Sequence, residues 1–229
     1  MRPMRFVARF ACGVALGLTA MPVAAELVVS DLIVELHANS GPRKDVEVWN
    51  NSDERSYVEI SPAEILNPGS PAERRVQEAD PEKLGLLVSP NRMILEPGQR
   101  KVVRIAEISA EQDRERVYRI TVKPVVGNLS GDHSGLKVLV GYDILAIVRP
   151  SAPVSRISGS RQGKSLIIRN DGNSSAELIN GRQCDPGGRC VNLPGKRLYA
   201  GSNWTQELPG NESVEYMVKS AQHLNSVRF

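Results

Sequence analysis

The chain is poor in the residue types on which most enzymatic chemistry depends. Its 229 residues include three Cys and three His, and aromatic residues make up 4% of the total. The histidines, His37, His133 and His223, lie far apart in the sequence, and none sits in a spacing typical of metal ligands. Neither a nucleophile motif nor a phosphate-binding loop is present. We therefore expect no enzymatic activity, no metal site and no cofactor.

Long apolar runs are scarce, and the one near the amino terminus is too short to cross a membrane. Residues 1–25 combine early arginines, an apolar run and small final residues: Arg2, Arg5 and Arg9, then residues 10–20, then Val23, Ala24 and Ala25. This order is typical of a cleavable secretory signal. We expect export, a mature chain that begins at Glu26, and removal of Cys12 with the signal.

An excess of positive charge is also missing once the signal is removed. The whole chain has 29 Lys and Arg against 26 Asp and Glu, and all three charged residues of the signal are Arg. The mature chain is therefore close to neutral. A nucleic-acid partner has no electrostatic support in such a chain.

Two cysteines remain in the mature chain, Cys184 and Cys190, separated by the segment DPGGR. The Pro-Gly-Gly sequence favours a turn that brings the two residues close together. An exported chain favours a disulfide between them. A zinc site is the alternative, but it needs two further ligands, and the histidines are isolated from one another.

No pattern typical of a long helix is present, whereas short strand patterns separated by turns fill the mature chain. Roughly seven strand candidates precede Pro150, the first over residues 27–36, and about five smaller ones follow it. Seven strands is the number typical of an immunoglobulin-like sandwich. Helical turns are expected only at residues 72–78, within a long loop, and at residues 109–114. The sequence thus predicts an all-β protein.

The predicted organisation has three parts. Residues 1–25 are the signal, residues 26–150 form a first β-sandwich domain, and residues 151–229 form a smaller second β-sandwich. The segment Ser151-Ala152-Pro153 is a stiff link between the two, because proline restricts the backbone around it.

One apolar stretch organises the chain, residues 136–150, with the sequence LKVLVGYDILAIVRP. Alternate residues place an apolar row on one face of a strand: Leu136, Val138, Val140, Tyr142, Ile144, Ala146 and Val148. Such alternation predicts a strand. Over residues 136–148 this strand is longer than its neighbours, so part of it extends beyond its own domain. An ordinary core strand is the alternative interpretation.

Several motifs in a fixed order resemble one family. They are residues 88–90, 95–98, 102–105 and 115–124, then the organising strand, then residues 166–170 and the Cys184/Cys190 pair. In this order they resemble the periplasmic chaperones of the chaperone–usher pilus pathway, over nearly the whole mature chain. The second domain is similar to the branch that serves class 5-type fimbriae. The resemblance implies two tandem immunoglobulin-like β-sandwiches and a location in the periplasm.

The resemblance also implies a mechanism and partners. Such a chaperone lends its own strand to a pilus subunit that lacks one, by β-augmentation, and passes the subunit to an outer-membrane usher. By position, Leu136, Val138 and Val140 would enter the groove of the subunit. Glu115 and Arg149 resemble the buried ion pair between the domains, with an ordinary surface pair as the alternative. A free donor strand also implies self-association.

In one respect the sequence departs from the family pattern. The best-known members hold the carboxylate at the end of the subunit with an Arg on the first strand and a Lys on the last. Residues 26–42 contain neither Lys nor Arg, and Leu145 stands where the Lys would lie. Arg119 is our candidate for the anchor, because a guanidinium can bind a carboxylate through two hydrogen bonds. The alternatives are an exposed strand residue and a carboxylate that is not held.

A binding module is the competing interpretation of function, either a pilus subunit or another exported two-domain sandwich. A subunit would carry a donor extension before an incomplete first domain, whereas here the first strand pattern directly follows the signal. A sugar-binding sandwich would need clustered aromatic residues, and the tryptophans are Trp49 and Trp204.

Overall fold

A computed structural model describes residues 26–37, 41–109, 112–125, 139–221 and 223–229. The described part is built from strands, with one helix of four residues. The predicted all-β architecture is confirmed. The strands fall into two groups, and each group encloses its own core of buried apolar side chains.

Ten strands form the first sandwich. They are β1 (Leu27–Val29), β2 (Ile33–His37), β3 (Arg43–Asn50), β4 (Ser56–Leu66), β5 (Arg74–Val76), β6 (Leu86–Ser89), β7 (Arg92–Leu95), β8 (Arg100–Glu107), β9 (Arg116–Pro124) and β10 (Tyr142–Arg149). One sheet has the order β1-β3-β8-β6. The other has the order β2-β10-β9-β4-β5, and β7 also pairs with β4. Within this sandwich β2 and β10 are parallel, whereas the other pairs are antiparallel.

The first predicted strand, residues 27–36, is wrong as a single element, because it divides into β1 and β2 in opposite sheets. The buried residues of β1 have odd numbers, Leu27 and Val29, whereas those of β2 have even numbers, Val34 and Leu36. Side chains alternate between the faces of a strand, so this change of phase requires a break. The break lies at Ser30, whose hydroxyl donates to Asp31 at 2.6 Å.

Eight strands form the second sandwich. They are β11 (Ile157–Gln162), β12 (Ser165–Asn170), β13 (Ala176–Cys184), β14 (Cys190–Leu193), β15 (Lys196–Leu198), β16 (Asn203–Glu207), β17 (Val214–Lys219) and β18 (Leu224–Arg228). A sheet of order β11-β12-β16 faces a sheet of order β14-β13-β17-β18, with β15 also paired to β13. Tyr216 lies at the centre of this core, with its ring edge-on to Trp204 and to Phe229. Burial raises the pKa of Tyr216 to about 12.

The helical turn predicted at residues 72–78 is wrong. That segment contains β5, which forms by pairing with residues Glu64 to Leu66 of β4. The helix α1 (Pro81–Leu84) lies further along the chain. Asp80 caps its start by accepting a hydrogen bond from the Glu82 amide at 3.0 Å, and Gly85 ends it with φ of 74°. The helical turn predicted at residues 109–114 falls partly outside the described residues.

The disulfide is confirmed: the sulfur atoms of Cys184 and Cys190 lie 2.00 Å apart. The two residues face each other where β13 pairs with β14. Gly188, with φ of 81°, provides the tight turn between them. Because the two sulfurs bond to each other, the alternative of a zinc site at these cysteines is wrong.

Candidate binding site

The strand β10 has one fully paired side and one partly open side. Its pairing with β9 extends from Tyr142 to Val148. Its pairing with β2 begins only at Leu145, which lies opposite Ile33. On that side, the residues from Tyr142 to Ile144 have no strand partner within the described part of the chain. We call these three residues the open edge of β10.

The apolar row predicted on this strand divides into two parts. Ile144, Ala146 and Val148 are buried in the core of the first sandwich, as the alternative interpretation of an ordinary core strand expects. Tyr142 packs against the same core, and its hydroxyl donates to the Leu27 carbonyl at 2.8 Å. Val140, by contrast, is 52% exposed and precedes the strand.

Two members of the predicted donor row, Leu136 and Val138, lie outside the described residues. Among the described residues, 139–141 are not part of the strand, and β10 begins at Tyr142. The donor role of Leu136, Val138 and Val140 therefore stays a prediction.

The opposite face of β10 contacts the second sandwich. Leu145 and Ile147 are buried with Ile65 and Val117, and Tyr199 of the second sandwich packs against this group. We call these five residues the cleft cluster. Leu145, at the position where the family pattern would place a Lys, thus belongs to an apolar contact between the sandwiches.

Arg149 lies at the junction of the two sandwiches with its side chain 2% exposed. Its guanidinium contacts the Glu115 carboxylate at 2.7 Å and donates to the Ser174 hydroxyl at 2.7 Å and the Ser175 carbonyl at 3.0 Å. Glu115, also buried, accepts a hydrogen bond from the Ser175 amide at 2.8 Å. The two residues predicted as an interdomain ion pair are therefore in contact, and both bind groups of the second sandwich.

Glu35 is a second partner of Arg149 that the sequence analysis missed. The Glu35 carboxylate lies 3.0 Å from the Arg149 guanidinium. Burial disfavours ionisation of Glu35, but the hydrogen bond and charge of Arg149 outweigh it, so the pKa of Glu35 lies below its usual 4.5. Only the parallel pairing of β2 with β10 brings these residues together, and no sequence pattern predicts that pairing.

Arg119, the candidate anchor, lies opposite Leu145 on β9 and is 38% exposed. One guanidinium nitrogen donates to the Asp143 carbonyl at 3.2 Å, and another lies 3.9 Å from the Asp143 carboxylate. These are weak contacts for a guanidinium. Its role as an anchor stays a prediction.

Arg75 on β5 holds the same aspartate more closely, and the sequence analysis missed it as well. Its guanidinium donates to both carboxylate oxygens of Asp143, at 2.9 and 3.2 Å, and to the Thr121 hydroxyl at 2.6 Å. Thr121 in turn donates to Asp143 at 3.0 Å. We call Arg75, Arg119, Thr121 and Asp143 the Asp143 cluster.

The pKa of Asp143 reflects this environment. Partial burial disfavours the ionised carboxyl, but the hydrogen bonds from Arg75 and Thr121 and the nearby positive charges lower the pKa below its usual 3.8. Two guanidinium groups thus surround one carboxylate, which leaves the cluster with a net positive charge.

Neither a membrane span nor a metal site is found in the described part of the chain. None of its helices has the length and apolar character to cross a membrane. Nor do three or more His, Cys, Asp or Glu side chains gather there as a metal would require.

Comparisons with known proteins connect this architecture to fimbrial assembly. Residues 26–153 match the model of the pili and flagellar-assembly chaperone family, PapD N-terminal domain. Two Escherichia coli proteins named as fimbrial subunits are similar in sequence. The one from CS1 fimbriae is 27% identical over 165 residues, 69% of each chain. The one from CFA/I fimbriae is 31% identical over 144 residues, 60% of each chain.

Solved structures share the fold over nearly the whole length. The class 5 fimbriae chaperone CfaA matches with a TM-score of 0.71 and 24% identity, covering 89% of this chain and 97% of that one. A chain from the complex of the Salmonella enterica SafA pilin with the SafB chaperone matches with a TM-score of 0.63 and 18% identity, covering 91% and 99%. These similarities confirm the predicted fold of two tandem immunoglobulin-like sandwiches.

Proposed function

The chain belongs to the family of pili and flagellar-assembly chaperones, which is not a family of enzymes, and from this premise we propose how it works. It captures fimbrial subunits in the periplasm by donor-strand complementation and delivers them to an outer-membrane usher. The amino-terminal residues 1–25 act as the secretory signal that brings it there. Which pilus system the chaperone serves depends on the subunit and the usher that bind it.

The open edge of β10 is the observation that carries the proposal. A strand with unpaired backbone groups on one side can add a further strand from another chain. The edge from Tyr142 to Ile144 continues toward Val140, whose side chain is half exposed. A subunit strand would pair along this edge and would take apolar side chains of the donor row into its own core.

The donor row is suited to reversible capture. Burying one Val or Leu side chain contributes about 1.5–3 kcal/mol. Three such residues, Leu136, Val138 and Val140, hold a subunit firmly against dissociation but still allow exchange at the usher. In the free chaperone the same row favours self-association.

The buried pair of Arg149 and Glu115 connects the end of β10 to the second sandwich. Both side chains bind Ser174 or Ser175 of the second sandwich. We propose that this contact fixes the angle between the sandwiches, and with it the position of the open edge of β10 relative to the second sandwich.

A second candidate follows from the printed names of the two sequence relatives, which are called fimbrial subunits. Pilus subunits accept a strand because their own sandwich lacks one. Here β10 already lies between β9 and β2 in the first sandwich. This arrangement favours a donor of a strand over an acceptor.

Replacing Val138 or Val140 with Glu tests the donor row. On the proposed function, the free protein keeps a melting temperature near that of the wild type, because a donor row is not part of the chaperone's own core. Both variants lose the small β-rich subunit that co-purifies with the wild type from the periplasm, since a charge would enter an apolar groove.

The matched control is Val102→Glu, since Val102 is a comparably exposed valine on the other sheet. The subunit stays bound to this variant. Severe destabilisation by Val138→Glu would assign the row to the core, and an intact complex with either Glu variant would remove the row from the interface.

A further inference from the structure

The turn between β12 and β13, residues 171–175, lies against the chain segment that joins the two sandwiches. Gly172 shows how close they are, because a Cβ atom on this residue would lie 2.1 Å from the Val154 carbonyl oxygen and 2.8 Å from the Arg156 amide nitrogen. Both distances are shorter than a real Cβ atom allows. A glycine at this position therefore lets the joining segment pack directly on the turn.

Asn173, in the same turn, uses both polar atoms of its side-chain amide for contacts outside the second sandwich. Its oxygen accepts a hydrogen bond from the Val154 amide at 2.7 Å. Its nitrogen donates to the Ala152 carbonyl at 3.1 Å and to the Asp113 carbonyl at 2.9 Å. Its backbone amide donates to the Val154 carbonyl, and its carbonyl accepts from the Glu115 amide, both at 2.9 Å. One residue thus binds the link, the residue after it and the segment that leads into β9.

These contacts select an amide side chain at position 173. The surrounding backbone presents one N–H donor and two carbonyl acceptors, and an asparagine supplies the matching acceptor and two donors. An aspartate has the same shape but cannot donate when ionised, and it would place a negative charge beside the two carbonyl oxygens. The side-chain bonds are exposed, so water can replace each of them separately. Their loss would therefore affect the position of the joined segments more than the stability of either sandwich.

The same turn also contacts the end of β10. Ser174 and Ser175, the next two residues of the turn, accept hydrogen bonds from the guanidinium of Arg149, which is the last residue of that strand. The turn therefore connects the segment before β9, the end of β10 and the link. A movement of the second sandwich relative to β10 would change the contacts of this turn.

We propose that Asn173 is a positioning residue, which holds the link against the first sandwich and so fixes where β10 and the second sandwich lie relative to each other. It acts on a different segment from the pair of Arg149 and Glu115, which contact the second sandwich at the end of β10. On this inference the link is stiff because Asn173 binds it, rather than because it contains Pro153. The effect on subunit capture rests on the proposed function, whereas the fixed arrangement of the sandwiches does not.

Residual dipolar couplings of the purified full chaperone measure this arrangement in the absence of any pilus protein. The backbone amides of each sandwich give one alignment tensor, and two rigidly joined bodies share the same tensor. The wild type is expected to give a shared tensor. In Asn173→Ala and Asn173→Asp the two tensors differ, because the link is no longer held. Gly172→Ala, which displaces the joining segment but keeps the Asn173 side chain, is expected to give the same result.

Two control variants leave the Asn173 contacts in place. Pro153→Ala removes the proline of the link, and Asn192→Ala removes an exposed asparagine of β14 in the second sandwich. Both are expected to keep a shared tensor. Denaturant unfolding is measured in parallel, and the midpoint of Asn173→Ala stays near that of the wild type. A role confined to the stability of the second sandwich would instead lower the midpoint and leave the tensor shared.

Subunit capture is the functional measurement. A chaperone that no longer holds its two sandwiches in one arrangement has to fix that arrangement when it binds, which weakens the complex. The subunit that co-purifies with the wild type is expected to dissociate about threefold to tenfold faster from Asn173→Ala, the factor that the loss of about one hydrogen bond produces. The two control variants release it at the rate of the wild type.

Several outcomes overturn the inference. These are different tensors already in the wild type, a shared tensor in Asn173→Ala, different tensors in Pro153→Ala, or a subunit that leaves Asn173→Ala as slowly as it leaves the wild type. If the wild type captures no subunit, the proposed function is wrong, and the dipolar couplings still decide whether Asn173 positions the two sandwiches.

Discussion

Arg149 illustrates at the scale of a residue how a charge can be buried at low cost. Its side chain is 2% exposed, yet it contacts Glu115, Glu35, Ser174 and Ser175. A buried guanidinium without such partners would be strongly destabilising. The two carboxylates differ in environment, since the side chain of Glu115 is 1% exposed and that of Glu35 is 34% exposed. Glu35 is therefore the partner that solvent conditions can change most readily.

Acid weakens the contact between Glu35 and Arg149. Because the folded pKa of Glu35 is lowered from 4.5, its contribution to stability is fully present above about pH 4.5 and is lost as the pH falls through the lowered folded value. Solvent screening limits this contribution to less than about 1 kcal/mol. Urea unfolding from pH 7 to pH 3 should therefore show a steeper acid loss for the wild type than for Glu35→Gln. Parallel curves for the two proteins would show that Glu35 does not contribute.

Removal of the disulfide destabilises the second sandwich. The Cys184→Ser, Cys190→Ser double variant loses a cross-link with a sequence separation of 6. For a loop this short the chain-entropy model gives about 2 kcal/mol. Denaturant unfolding of the second sandwich, followed by the fluorescence of Trp204 in its core, measures the shift. An unchanged midpoint would mean that the β13–β14 hairpin is fully ordered without the bond.

At the scale of elements, β10 shows what alternation in the sequence can and cannot predict. Period-two alternation predicts the strand and places Ile144, Ala146 and Val148 on one face, and all three are buried together. It does not predict that the opposite face is buried as well, because Leu145 and Ile147 pack against residues of β4, β9 and the second sandwich. That contact depends on the arrangement of two sandwiches in space, which no local pattern records.

The partner of β10 on its other side, β2, and the arginine that binds Asp143 were equally beyond local patterns. The parallel ladder with β2 joins Ile33 to Leu145, and Arg75 reaches Asp143 across 68 positions of sequence. Strand β5 itself exists because β4 offers it an edge, so the weak helical tendency of residues 72–78 loses to tertiary pairing. The donor and anchor residues could be nominated only by resemblance to a family, whereas Glu35 and Arg75 needed the register of the sheet.

Replacing Leu145 of β10 with the Lys of the family pattern is expected to destabilise the protein. Leu145→Lys places an ammonium within the cleft cluster, where the native side chain is 7% exposed. We expect a loss of about 2–4 kcal/mol in the free energy of unfolding, from lost apolar contacts and the cost of burying a charge. Chemical denaturation measures it.

The control for this substitution is Ile33→Lys, at the neighbouring position across the parallel ladder. Ile33 is 51% exposed, so the same new charge remains in water and changes the stability little. Equal effects of the two substitutions would show that Leu145 is not part of a closed apolar contact.

At the scale of the whole molecule, the junction between the sandwiches is held by polar contacts around an apolar centre. The Glu115 amide donates to the Asn173 carbonyl at 2.9 Å, and the Asn173 side chain donates to the Asp113 carbonyl at 2.9 Å. Tyr199 packs against the other four residues of the cleft cluster. The sequence indicates two sandwiches with a link after Pro150, but only the structure shows these further contacts between the sandwiches.

A double-mutant cycle on Glu115 and Arg149 tests whether this junction acts as one unit. Arg149→Ala strands the buried Glu115 charge and is expected to cost about 3–5 kcal/mol. Glu115→Ala leaves Arg149 paired with Glu35 and is expected to cost less. The double substitution removes both charges, so its cost should be smaller than the sum of the single costs, with a coupling of about 0.5–3 kcal/mol.

The bidentate pair of Arg104 and Asp45, at 2.8 Å on an exposed sheet face, is the control. Its coupling should be much smaller, because water screens both groups. Simple additivity at Glu115 and Arg149 would mean that these two side chains do not act as a unit at the junction.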